Sequence, residues 1–262
     1  MKPDRSSTLY VVVGHRRTDF PLWTGWRFST ANPELSSDFL LSDPGDPRLP
    51  DSLIGEYHYL FRLNRELKKT TTFDSIRIAQ YRRIVVNVEM GDRAENQPWT
   101  RVMSADVARD LDAQKLTEPK DHGFLVSSIF PMRSVLAQYA SSHPSRDILR
   151  FLADAVDAGI VNDQDATSAL LVNGLIPAPS NGTFPINCFT KIMDTLERAA
   201  SQFVSGGFMA RSDYQRRSVG FCLERLNSYL LLKELAAKSV DLAAVMGQQL
   251  TISDQTRVTV SR

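Results

Sequence analysis

An apolar, β-branched run from Ile76 to Val86 is interrupted by Gln80-Tyr81-Arg82-Arg83 and then resumes. Residues of this kind suit a pleated, packed surface, so the run reads as strand material inside a sheet. The two adjacent guanidiniums limit where such a sheet can put it. A charge is costly to bury unless an anion or hydrogen-bond acceptors meet it. The segment therefore belongs at a sheet's rim or against an anionic partner. An arginine fork suits a diphosphate, because it donates two parallel hydrogen bonds to phosphate oxygens. Side chains alternate along a regular strand, so Arg82 and Arg83 are expected to face opposite sides. One would then reach phosphate and the other would make a structural ion pair. A purely structural role for both is the competing reading, and Tyr81 equally suits an aromatic core position.

Leu9 to Val13 is a compact apolar run ending at Gly14-His15-Arg16-Arg17, which reads as a buried first strand opening into a polar loop. In open α/β sheets ligands collect at the carboxyl ends of strands. Val13, Gly14, His15 and Arg16 are accordingly candidate ligand contacts, with a ligand-free turn as the alternative. Residues 18–50 lack periodicity and contain the turn cluster Asp43-Pro44-Gly45-Asp46-Pro47, as a functional loop would.

Asp51-Ser52 is expected to cap a helix over Leu53 to Lys69. Strand material follows over Phe73 to Val88, a short helix over Ala105 to Leu116, and another strand over Phe124 to Phe130. From Ser134 the pattern turns helical. Helices are expected over 135–141, 145–159, 166–173, 194–204 and 213–246, the last broken near Lys238-Ser239. Residues 250–262 alternate like a strand. The chain thus divides into an α/β part, 1–133, and a mainly helical part, 134–262, within one compact domain.

Composition narrows the function classes. A net charge of +1 gives no overall field for nucleic acid or an acidic membrane. No segment reaches the roughly 18 uninterrupted apolar residues that span a bilayer. The N-terminus lacks the apolar core of a signal peptide before Tyr10. A cytoplasmic protein is expected, with at most peripheral contact at the inner face of the cell membrane. Cys188 and Cys222 lie in apolar sequence and read as buried free thiols. Two Asp-x-Asp triplets, Asp110-Leu111-Asp112 and Asp163-Gln164-Asp165, match a pattern that can hold a divalent metal against phosphates. Both sit in helical sequence and read as solvated acidic faces, so no metal site is assigned. There is no Gly-x-Ser-x-Gly elbow and no His-x-x-x-His helix.

Six short pieces recur in a meaningful order: His15-Arg16, Gly55-Glu56-Tyr57, Gln80-Tyr81-Arg82-Arg83, Gln138-Tyr139 with His143 and Asp147, Asn187-Cys188-Phe189, and Gly220-Phe221-Cys222-Leu223-Glu224-Arg225-Leu226. In that order the chain, from about residue 8 to about residue 232, resembles a bacterial family of capsule and exopolysaccharide glycosyltransferases. Gln80 stands where the family's motif has histidine. The resemblance implies a GT-A-like fold, with a nucleotide-sugar-binding α/β half and an acceptor-side helical part. It implies transfer of a sugar from a nucleotide diphosphate sugar to a saccharide or lipid-linked saccharide acceptor in surface polysaccharide synthesis. Donor contacts would come from Val13, Gly14, His15, Arg16, Gln80, Tyr81, Arg82 and Arg83.

Acceptor contacts would come from Gln138, His143, Asp147, Asn187 and Arg225. Arg83 would steady the leaving diphosphate, and Glu224 would take the acceptor proton, with Glu56 as a second candidate. A structural Glu224–Arg225 pair, and a junction merely fixed by His143 and Asp147, are the competing readings at those positions. A non-catalytic relative that binds saccharide or protein, and a stand-alone nucleotide-sugar hydrolase that turns over without any acceptor, are the competing readings for the whole chain.

Overall fold

The computed structural model describes residues 8–14, 26–29, 44–69, 73–94, 97, 99–119, 121–208 and 211–253. β1 (Thr8–Val13) pairs in parallel with β2 (Arg27–Ser29). Two helices, α1 (Asp51–Ile54) and α2 (Tyr57–Lys69), carry the chain to β3 (Ser75–Gln80), which lies parallel to β1. β4 (Arg83–Val86) turns back on β3, and β5 (Asp92–Arg93) pairs with β6 (Thr100–Ser104). Short helices α3 (Ala105–Ala108) and α4 (Ala113–Leu116) precede β7 (Leu125–Ser127) and β8 (Phe130–Pro131).

Then come α5 (Val135–Ala140), α6 (Ser145–Asp157) and α7 (Asp163–Leu171). β9 (Gly174–Leu175), β10 (Gly182–Pro185) and α8 (Ile186–Ser205) follow. A 3-10 turn over Asp213–Arg217 leads into α9 (Ser218–Ala237), α10 (Leu242–Val245) and β11 (Met246–Ser253).

One nine-stranded sheet runs β2-β1-β3-β10-β7-β11-β6-β5, with β4 bridging β3 and β11. β10 and β7 fill the gap between β3 and β11 at one end, and β4 fills it at the other. Strands from both sides of the compositional change at residue 133 therefore build the same sheet. β1 shows how the sheet sorts its faces. Leu9, Val11 and Val13 face the helical layer, while Val12 and Tyr10 join Trp26, Phe28 and the residues of α3 and α4 on the other face. That alternation is the period of two expected of a strand covered on both sides. Arg77 shares the second face, where its guanidinium lies over the Tyr10 ring at 4.9 Å and donates to Thr117 Oγ1 at 3.2 Å.

Several expected boundaries shift, each for a local reason. The helix expected over 53–69 is broken at Gly55, whose φ of +61° suits glycine alone, and Glu56 sits in the break. Pro50, not Asp51 or Ser52, stands at the N-cap. The strand expected over 73–88 is a hairpin, β3 and β4, with Tyr81 and Arg82 as its turn and Gln80 opposite Arg83. Asp112 caps α4 by accepting from the Gln114 and Lys115 amides, which splits the helix expected over 105–116. Residues 186–193 form the first turns of α8. The break at Lys238-Ser239 is present, with Ser239 at φ +54°. β11 begins at Met246 rather than Leu250, and residues 254–262 lie outside the described residues.

Candidate functional site

β1, β3 and β11 run in one direction, so Val13, Gln80 and Thr251 come to the same carboxyl-end rim, beside Arg83 of β4. Three cavities open along that rim. The first, about 370 Å³, is walled by Val13, Gly14, Gln80, Tyr81, Arg82, Arg83 and Thr251 from the sheet, with Asp51, Gly55, Glu56, Tyr59 and Arg217 opposite. The second, about 190 Å³, shares Glu56, Gln80, Arg83 and Arg217 with the first and adds Ala178, Gly220 and Glu224. A third, about 210 Å³, shares Arg83, Ala178 and Glu224 with the second and ends at Trp99, Phe130, Gln138 and Arg225. Common walls make them one groove, and Arg83 touches all of it.

The tight turn between β3 and β4 explains why both arginines reach the groove. Residues at a two-residue turn do not alternate as they would in a regular strand, so the expected opposition of Arg82 and Arg83 does not arise. Arg82 also lies over the Tyr81 ring, at 5.4 Å. Among the described residues, neither Arg83 nor Arg217 forms an ion pair; their charges reach Glu56 only at longer range.

Glu56 is held where α1 breaks. Its carboxylate accepts from Ser180 Oγ at 2.5 Å and from Gln80 Nε2. Burial pushes its pKa above the ordinary value; the Ser180 hydrogen bond opposes this, Glu224 adds to it, and Arg83 and Arg217 pull the other way. The residue keeps some exposure through the cavity while its carboxyl is packed on most sides. A carboxyl with a raised folded-state pKa holds its proton more tightly when folded, so stability falls as pH rises from the ordinary 4.5 through the raised value. Glu56→Gln should remove that loss. Thermal denaturation between about pH 4 and pH 8 should show the variant's Tm advantage growing with pH across that window. A constant difference in Tm would refute the assignment.

Close approach of α9 to α1 delivers the remaining groups. A Cβ on Gly220 would sit 3.0 Å from the Ile54 carbonyl oxygen, and one on Gly55 would sit 2.6 Å from Arg217 Nη2. Glycine at both places lets Arg217 and Glu224 stand against Glu56. Glu224 accepts from Arg225 Nη1 at 2.8 Å, and Arg225 Nη2 donates to Gln138 Oε1 at 2.9 Å. Glu224 is thus paired with Arg225 and also walls the groove. The loop carrying Ser180 holds Ala178 at φ +47°, a backbone strain of the kind that gathers at functional sites.

Other expected site residues lie elsewhere. His143 and Asp147 do not line the groove. His143 is stacked 4.1 Å from Phe221, shares a 3.2 Å hydrogen bond between its Nδ1 and Gln215 Oε1, and has its pKa lowered by burial. Asp147 accepts from Arg211 Nε at 2.8 Å and Nη2 at 2.5 Å. Together they fix the α5–α6 junction against the 3-10 turn. Asn187 is exposed in the first turn of α8, away from the groove lining. His15 and Arg16 lie outside the described residues.

The acidic triplets also lie away from the rim. Asp112 caps α4, and Asp165 accepts from Tyr229 and Lys233, each at 2.7 Å. Among the described residues no three His, Cys, Asp or Glu side chains cluster as metal ligands. Both cysteines are buried and free. No described helix is long and apolar enough to cross a membrane.

The sequence sets the stretch from Tyr214 to Leu226, with Arg217 in it, beside the Arg82-Arg83 step as a feature of nucleotide diphosphate sugar handling but gives Arg217 no separate role, and it gives none to Ser180, Thr251, Trp99 or Gln249. The Arg216-Arg217 doublet ahead of α9 was a usable signal. Nothing local marks Ser180.

No protein-family profile matches this chain, and no curated protein does. A solved structure that is similar is the apo form of the bifunctional glycosyltransferase WbbM, with a TM-score of 0.69 at 14% identity over 94% of this chain. The aligned region is 45% of that protein's length, so this chain spans less than half of it. At that identity the likeness shows the fold, which is a glycosyltransferase-like α/β fold.

Proposed function

We propose that this chain transfers a glycosyl group from a nucleoside diphosphate sugar to a saccharide acceptor, in surface polysaccharide synthesis. The observation that carries the reading is Arg83, a cation without a described ion pair that touches every part of a groove at the sheet's carboxyl rim. The diphosphate takes the Arg82, Arg83 and Arg217 end, with the nucleoside toward Val13 and Gly14. The donor sugar lies in the middle, where Glu56 and Gln80 orient its hydroxyls. Glu224 stands between the middle and far cavities, where an acceptor hydroxyl would meet the anomeric carbon. As the acceptor oxygen bonds to that carbon, its proton passes to Glu224 and the diphosphate leaves with the electron pair. Arg83 and Arg217 offset the charge that grows on the leaving group. The fold likeness to a glycosyltransferase supports this reading.

Calorimetry with a panel of nucleoside diphosphate sugars tests it, run with and without divalent metal. Saturable one-to-one binding of at least one member is expected. No binding by any member under either condition would overturn the proposal. Binding without turnover toward any acceptor or water would support the non-catalytic alternative.

A further inference from the structure

We infer that the far cavity is an acceptor subsite for a neutral pyranoside, whose apolar ring face lies on Trp99. This rests on the transferase reading for its place in the reaction, although the binding itself is separately measurable. One wall is apolar: the Trp99 and Phe130 rings meet edge to face with centroids 4.7 Å apart, beside Met132 and Pro177. The facing wall is polar, formed by Gln138, Glu224, Arg225 and Gln249, and two of these side chains also enclose a polar atom without a partner. Gln249 is 1% exposed and its Oε1 has no hydrogen-bond partner, while Arg225 is 6% exposed and its Nε has none. Buried polar atoms without partners are costly and uncommon in folded proteins, and each calls for an explanation.

A ligand against this wall must accept from a guanidinium or amide and donate to an amide or carboxylate oxygen, the groups that Gln138, Glu224, Arg225 and Gln249 bring to it. A hydroxyl does both. Hydroxyls on one edge and a C–H face on the other describe a sugar ring, and the wall opposite them is aromatic. Charge at the site argues for a neutral ring. Glu224 and Arg225 neutralise one another in a 2.8 Å pair, and the remaining cation, Arg83, is shared with the donor end. With Arg83 engaged by the donor diphosphate, no further charge is left to select a charged acceptor.

Saturation-transfer NMR on the full chain tests the inference, with methyl α- and β-glucopyranosides and galactopyranosides as probes, alone and with UDP or GDP present. The wild type should transfer saturation to the ring C–H protons of one face. Trp99→Ala and Gln249→Leu should each weaken that signal at least tenfold, and Trp99→Phe should retain most of it. Nucleoside diphosphate sugar affinity by calorimetry should stay unchanged in all three, which also shows that they are folded. Unchanged glycoside signals in Trp99→Ala, or no glycoside signal from a wild type that binds nucleotide sugars, would overturn the subsite and leave the transferase reading standing. A wild type that binds glycosides through Trp99 but no nucleotide sugar would support the subsite and sink the transferase reading.

Discussion

Changing Arg83 to alanine should lower kcat/KM by roughly 10²–10³-fold, and changing Arg217 with it should remove measurable transfer. The magnitude is that of removing a preorganised donor aimed at developing charge, in a site where protein screens less than water does. Most of the loss should appear in donor affinity as well, since under the proposed placement of the donor the same forks would meet its diphosphate in the ground state. Arg83→Lys should rescue only partly, because an ammonium keeps the charge but not the two parallel bonds. Neither arginine has an ion-pair partner among the described residues, so their removal strands no paired carboxylate and the fold should survive. A second readout follows from Glu56. Both arginines hold its pKa down, so their loss should push that carboxyl further up and carry the fall of stability to higher pH. Steady-state kinetics together with calorimetry decide the matter. Donor affinity unchanged in the double variant would remove the phosphate site from the groove.

Glu224→Gln should lower kcat by roughly 10²–10⁴-fold while leaving donor affinity nearly intact, the pattern for loss of a general base. Glutamine keeps an oxygen that can accept from Arg225 Nη1, so the Arg225–Gln138 arrangement should persist. The effect would then be chemical and not structural. Glu56→Gln provides the comparison, because that side chain shares the middle cavity with Glu224 and is already held by Ser180 and Gln80. If Glu56→Gln abolished turnover while Glu224→Gln kept it, the proton-accepting role would belong to Glu56.

How far the residues alone foretold this arrangement varies by element. The first strand was legible because Leu9 to Val13 is a compact apolar run ended by Gly14, and a run of that kind is local. The Gln80-Tyr81-Arg82-Arg83 step was legible as unusual, yet its geometry was misjudged. A strand interrupted by four polar residues and two strands joined by a turn have the same apolar pattern, and no glycine or asparagine marked the turn. The helix at residues 53–69 was legible by its period. Its break at Gly55 was not, because a single glycine is tolerated in many helices. His143 and Asp147 looked chemical for their residue types. Their partners, Phe221, Gln215 and Arg211, lie more than sixty residues away, and those partners hold them outside the groove.

Residue pattern alone determined that this chain has a sheet rich in β-branched strands, a helical second half, and cations that need an anion or an edge. Those properties follow from periodicity and desolvation, which act over a few neighbouring residues. Which cations share a groove, and with which carboxylates, was decided by tertiary structure. Arg83, Arg217, Glu56, Ser180 and Glu224 meet because a hairpin turn, a helix break and two glycines at a helix crossing bring distant segments within a few ångströms, and no local rule carries that information.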